Sequence, residues 1–345
     1  MSLETSPTGR AFGPAGEPPA VTLVAAPTLP LAALPLQSLP PLSAPPVIYA
    51  LTLLTAVLWG FGPILDKRGM DAGGTTLQAS IVVVLVDSGL YWLALAGVAL
   101  VTGVAPFADI TPLAAGIFLG AGFVGTALGR LAVFAGVRRV GASINSAAIA
   151  SRPLFATLLA VALLDEAVTL LTVAGIVVLV GGLAVLSLSR GGDIGGWERK
   201  HLAYPVVGAV FFAAGNVARR YGLELTPTTA LEAVALNETA ALVALLAYAA
   251  TVSDADREGL VSAPRRTYGY FTASGVLTAV ALLAMFAALA HPAGRVAIVD
   301  PLVATAPLFT AVFAAVLLRD VERVTLGVVA GALLVVVGAA LVAVG

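Results

Sequence analysis

The sequence predicts an all-α integral membrane protein: ten transmembrane helices arranged as two inverted five-helix repeats. Three observations carry this. The chain is 59% hydrophobic and 11% charged, less than half the roughly 25% charge of a soluble domain, and its mean hydropathy is +1.02. Ten segments are apolar over close to the ~20 residues that a helix needs to cross a bilayer. The second half repeats the first at a spacing of about 153 residues. Five spans per repeat, an odd number, turn the second copy upside down relative to the first.

From the N-terminus, residues 1–46 hold 11 of the 21 prolines. Each interior proline removes a backbone donor and clashes with the preceding turn, so this stretch reads as a flexible or polyproline-like tail. It carries no charged n-region ahead of an uninterrupted apolar run, so no cleaved signal peptide is read. The ten spans come next, at 47–65, 78–102, 112–137, 142–164, 168–188, 202–220, 229–251, 269–290, 296–318 and 324–344. They divide into a first repeat, 47–190, and a second, 200–345. Short connections hold most of the charge: Asp66-Lys67-Arg68, Arg138-Arg139, Asp165-Glu166, Trp197 to Lys200, Asp254 to Glu258 and Arg319 to Arg323.

The duplication is read residue by residue. Thr126-Ala127 through Phe134-Ala135 returns as Thr278-Ala279 through Phe286-Ala287, and Pro153-Leu154-Phe155 as Pro307-Leu308-Phe309. Ala174-Gly175 with Gly182 returns as Ala330-Gly331 with Gly338, and Gly62 and Gly69 as Gly215 and Gly222. Glycines four apart (Gly116 with Gly120, Gly125 with Gly129, Gly327 with Gly331) have the spacing that lets helix backbones approach closely in lipid.

Trp59-Gly60 in the first span, the Pro153 span ending in Leu163-Leu164-Asp165-Glu166, and the glycine-bearing fifth span resemble the drug/metabolite transporter superfamily, EamA type. The second copy of the proline-to-acid element reads Pro307 to Leu317-Leu318-Arg319-Asp320, and the likeness runs over residues 47–344. It implies gradient-driven movement of small polar metabolites such as amino acids, with export among the directions. The chain has no Walker A loop, in keeping with a mechanism without ATP.

Ionisable groups inside the spans mark the candidate site, because one at mid-membrane costs at least ~2.5–3.5 kcal/mol and must face protein or water. Asp87 lies mid-span, with Tyr91 one turn on along the same face. It is a solute- or proton-binding carboxylate, or the structural partner of Arg130 or Arg152. Arg130 is read as its counter-ion, with a cavity position as the alternative. Asn145 and Arg152 share a face by their seven-residue spacing, and the planar fork of Arg152 suits a carboxylate or phosphate. Asn237 and Glu238 sit near the depth of Asp87 in the second half, and Asp300 lies two turns before Pro307. Pro153 and Pro307 are the expected hinges. Asn216 reads as helix glue and Trp59 as core.

The remaining expectations are exclusions and partners. The net charge of −1 provides no basic face for nucleic acid. No cysteine, and only His201 and His291 far apart, leave no metal site or cofactor to expect. The partners expected are a small-molecule substrate, the lipid bilayer and a coupling proton or ion, for a multi-pass monomer or homodimer in the cell membrane. No catalytic motif surrounds Asp87 or Glu238, so the chain is not read as an enzyme. A channel, an intramembrane enzyme or a lipid-interacting scaffold are the alternatives to a transporter working by alternating access. The charge bias of the loops, 12 of 18 basic residues on one side, puts both termini outside, whereas the family likeness implies cytoplasmic termini.

Overall fold

A computed structural model describes residues 45–164, 169–189, 191–193, 196–252, 260–293, 299 and 302–344. Apart from Pro45 and Pro46, the proline-rich tail lies outside them. The helices in order are α1 (Pro46–Asp71), α2 (Thr76–Thr102), α3 (Pro112–Val140), α4 (Ala142–Ile149), α5 (Arg152–Leu164), α6 (Leu170–Leu188), α7 (Ala203–Leu225), α8 (Ala230–Thr251), α9 (Arg265–Ala290), α10 (Ala306–Leu317) and α11 (Leu326–Val344). Among the described residues six of them (α1, α2, α3, α7, α8 and α9) are long and apolar enough to cross a membrane, and α6, α10 and α11 are apolar but shorter. Large apolar side chains such as Leu100, Val101, Leu170 and Leu326 stand more than four-fifths exposed. A surface of that kind belongs in lipid rather than water.

Local chemistry fixes several helix ends. Thr75 caps α2 and Thr229 caps α8, each in a reciprocal box with Gln78 or Glu232 three residues on. Thr111 accepts from Ala114 N ahead of Pro112. Gly141, at φ 86°, ends α3.

α1 and α7 run beyond the spans expected from hydropathy, to Asp71 and Leu225. Asp66 and Lys67, expected in a connection, are therefore buried residues of α1, and Arg219 is a buried residue of α7. A charge ends an apolar window, but it does not end a helix whose other face is packed.

The segments expected as the fourth and ninth spans are not continuous helices. Residues Ala150 and Ser151 form a turn between α4 and α5, and Ala304 and Thr305 form the matching turn before α10. Ser151 N donates to Ala148 O at 3.1 Å and Leu154 N to Ser151 O at 3.0 Å. In the second copy Thr305 N donates to Leu302 O at 3.1 Å and Leu308 N to Thr305 O at 3.0 Å. The hydroxyls of Ser151 and Thr305 make the same bond, to Ala148 O and Leu302 O, both at 2.6 Å. The proline ring two residues later would clash with the carbonyl four residues before it, so the helix stops and restarts. Pro153 and Pro307 thus open new helices rather than kink continuous ones.

Contacts between the repeats are reciprocal. A Cβ on Gly122 of α3 would lie 1.9 Å from Asn237 O of α8, and one on Gly275 of α9 would lie 2.8 Å from Val86 Cβ of α2. α3 therefore packs against α8, and α9 against α2. On the far side α6 and α11 meet through Gly182, which abuts Val335, and Gly338, which abuts Leu179. Of the glycine pairs singled out by spacing, Gly125 with Gly129 and Gly327 with Gly331 make close contacts, while Gly116 and Gly120 have nothing within 4 Å. Spacing alone does not say which face of a helix is covered.

One end of the bundle is latched. The Arg68 guanidinium grips both Asp320 oxygens at 2.7 Å and also donates to Leu317 O. That ion pair holds the exposed Asp320 carboxyl below the usual carboxylate range. β1 (Gly192–Asp193) pairs antiparallel with β2 (Glu322–Arg323). Glu322 is buried and accepts from Ala142 N and Ser143 N, at 3.1 and 2.8 Å, capping the start of α4 from the other repeat.

Two outcomes are expected. Gly122→Ala forces a methyl into a backbone carbonyl and should destabilise by about 1–3 kcal/mol, read as a lower melting temperature in detergent. Gly116→Ala, facing open space, should leave melting unchanged or slightly raised; equal effects at the two positions would refute the packing. The second concerns Glu322, whose carboxyl burial raises above its ordinary 4.5 against the pull of the Ser143 and Ala142 N–H groups and Lys67. A carboxyl raised on folding stabilises fully below its unfolded pKa, and that contribution is lost as pH rises through the folded value. The melting temperature of Glu322→Gln relative to the parent should accordingly climb as pH increases from 4.5 toward neutral, and a flat difference would contradict it.

Candidate functional site

The polar centre is built from four helices. α2 supplies Asp87, α3 supplies Thr126 and Arg130, α7 supplies Asn216 and Arg219, and α8 supplies Asn237 and Glu238; all are buried. α3 reaches the others through its glycines. Its middle, Gly122–Leu128, is a π-helical segment, a local widening that recurs at functional sites. There Gly125 approaches Gly215 of α7, and Gly129 approaches Phe212. Side chains there would hold Thr126 and Arg130 away from their partners.

Arg130 Nη2 donates to Asp87 Oδ2 at 2.8 Å and to Glu238 Oε2 at 3.1 Å. The other Glu238 oxygen accepts from Thr126 Oγ1 at 3.0 Å and Asn237 Nδ2 at 2.7 Å. Both oxygens of Glu238 are therefore occupied. Arg219 donates through Nε to Asn237 Oδ1 at 3.0 Å, through Nη1 to Asn216 Oδ1 at 2.8 Å, and through Nη2 to Thr126 Oγ1 at 2.8 Å. The Arg219 guanidinium also stands 5.6 Å over the Phe286 ring, a cation–π distance. One network thus runs from Asp87 to Asn216 through α2, α3, α8 and α7.

Beside this network is a cavity of about 150 Å³, similar to engineered cavities that hold a benzene-sized guest. Sixteen of its 21 lining residues form repeat-equivalent pairs, 152 to 154 positions apart: Trp59 and Phe212, Pro63 and Asn216, Asp66 and Arg219, Thr126 and Thr278, Arg130 and Leu282, Ile149 and Val303, Ala150 and Ala304, Arg152 and Ala306. Both helix breaks border it.

The candidates named from sequence fall into separate places. Arg130 and Arg152 line the cavity. Asp87, Asn237 and Glu238 stand behind it, bonded to Arg130, Thr126 and Arg219. Tyr91 is buried and donates to Ala279 O at 2.8 Å, away from the lining. Asn145 is buried against Gly136, and neither of its amide atoms has a hydrogen-bond partner. It does not share a face with Arg152, because a seven-residue spacing aligns side chains only along one continuous helix, and the chain breaks between them. Asp300 lies outside the described residues. Sequence reasoning did not nominate Asp66 and Arg219; the signal available was their 153-residue separation, beside Gly62 and Gly215. Asn216, read as glue, lines the cavity, and Trp59, read as core, packs against the core and also lines the cavity.

Among the described residues, no three His, Asp or Glu side chains come together as a metal site would require.

A family model described as the EamA-like transporter family matches residues 46–188 and again 201–344. No curated protein matches the chain. A crystal structure titled only as that of a protein is similar in fold, with TM-score 0.58 at 15% identity over 86% of this chain and 96% of that one.

The network makes a stability prediction. Arg130→Met strands two buried carboxylates, and breaking a buried ion pair costs about 3–5 kcal/mol, so melting in detergent should fall sharply. The uncharged triple variant D87N/R130M/E238Q should regain most of the loss. If it melts no higher than R130M, the ionic account of this cluster is wrong.

Proposed function

The chain belongs to the EamA-like transporter family, and from that premise we propose that it is a secondary transporter of small polar metabolites, such as amino acids, working by alternating access. The observation that carries this reading is the cavity lined mostly by repeat-equivalent pairs. Carriers built from repeats bind at the repeat interface and rock one element against another around that site. The reciprocal α3–α8 and α9–α2 contacts support a pseudo-two-fold relation, and hence ten spans in two inverted copies. The cavity is bordered by two helix breaks, and broken helices surround the binding sites of such carriers.

In this reading Pro153 and Pro307 supply the hinges. The Arg68–Asp320 pair, the β1–β2 pairing and the Glu322 cap form the closed gate at one end. Movement is driven by a solute, proton or ion gradient, and the protein is a multi-pass, non-enzymatic component of the cell membrane. It works as a monomer or homodimer, with no cofactor.

The test uses the absence of cysteine in this chain. The purified protein in proteoliposomes should show saturable counterflow of at least one small polar solute. In the double variant R68C/D320C, a reducible bifunctional cross-linker should cut that flux about tenfold or more, and reductant should restore it, as expected when one gate must open for turnover. Flux that rises linearly without saturation would indicate a channel. Flux indifferent to the cross-link would remove this end from the gating cycle.

A further inference from the structure

Resting on the transport reading above, we infer that Arg219 and Asn216 form an anion subsite in the cavity. Asp66 takes a hydrogen-bond donor at the opposite end of the same solute, so the cargo is a small organic anion held in one orientation.

Arg219 has donors to spare. A guanidinium carries five N–H groups, and Arg219 spends three on Asn237, Asn216 and Thr126. One N–H on Nη1 and one on Nη2 remain, on a side chain whose planar fork suits a carboxylate or phosphate edge. Asn216 adds to them. Its Oδ1 is held by Arg219, while its buried Nδ2 has no hydrogen-bond partner. Both residues line the cavity and are at least nine-tenths buried.

Charge points the same way. Every hydrogen-bond acceptor on Arg219 is neutral, and among the described residues no carboxylate lies within ion-pair distance of it. The nearby Glu238 is saturated by Arg130, Thr126 and Asn237. A buried cation with no carboxylate in direct contact is costly, and an anion in the cavity would supply that contact.

The repeat supplies the opposite end. Asp66 occupies in α1 the position that Arg219 occupies in α7, 153 residues on, and both line the one cavity. Asp66 is buried, with Oδ1 unpartnered. It is an acceptor where its counterpart is a donor. A cavity with an acid at one position and a guanidinium at its equivalent favours a solute whose two ends differ. The donor at the far end of the cargo is an ammonium or a hydroxyl, and the experiment separates these.

Melting shifts and counterflow are measured with matched families of small solutes: amino acids, the corresponding 2-hydroxy acids, amino-acid amides that lack the anion, and inorganic phosphate. At least one anionic family should raise the melting temperature and exchange in counterflow, and the amides should do neither. Arg219→Lys keeps the charge but loses the fork, and should weaken apparent affinity about tenfold. Asn216→Asp, which sets a like charge against the anion, should abolish binding while size-exclusion profiles stay those of the parent. Asp66→Asn should weaken amino acids far more than hydroxy acids if the far end is ammonium, and both alike if it is hydroxyl; no effect on either removes Asp66 from the subsite. Saturable transport of amides or neutral solutes, with anions inert, would overturn the anion subsite and leave the carrier reading intact. Absence of saturable flux for every solute tested would overturn that reading itself.

Discussion

Arg130 is the fixed point of this molecule. Through one guanidinium nitrogen it binds a carboxylate from α2 and another from α8, so three helices drawn from both repeats meet at a single charge. Breaking such a buried contact leaves uncompensated charge, and the surrounding groups are arranged to prevent that. Thr126 and Asn237 saturate the second Glu238 oxygen and are in turn held by Arg219. The glycines of α3 are a consequence of the same constraint, since the network closes only if α3 comes within backbone contact of α7 and α8.

The two copies share their backbone devices and differ in their side chains. The breaks before Pro153 and Pro307 repeat bond for bond. The charged groups do not: Asp66 takes the place of Arg219, Arg130 that of Leu282, Arg152 that of Ala306. The two copies thus place one backbone device at equivalent positions and surround it with different side chains. In lipid the device depends on satisfied backbone, and the difference rests on a few costly charges.

What the sequence disclosed divided along the same line. Asp87, Arg130, Asn237 and Glu238 were legible because a charge or amide in the middle of an apolar run is conspicuous, and the paired prolines because they recur at a fixed distance. Asp66 and Arg219 were hidden by the same contrast that exposed the others. Near the end of an apolar window a charge reads as the start of a connection, and only packing shows that the helix continues past it. Asn145 failed for the reverse reason, since its face was inferred through a helix that stops at Ile149. Family membership was carried by the order of weak signals across both halves. The identity of the cargo is not written in any such order, because related folds carry many solutes.

The π-helical turn in α3 also preserves a piece of history. Gly116 and Gly122 correspond to Gly269 and Gly275 at a separation of 153 residues, whereas Thr126 and Phe134 correspond to Thr278 and Phe286 at 152. The register between the copies slips by one residue, and it does so within Gly122–Leu128, the segment wound with the wider turn. α9, which has no such turn, is α-helical throughout. A wider turn is how a helix absorbs one surplus residue while the turns beyond it keep their facing. After the ancestral gene doubled, a single codon gained by one copy or lost by the other would leave this mark, and the arginine at the centre of the protein lies immediately downstream of it.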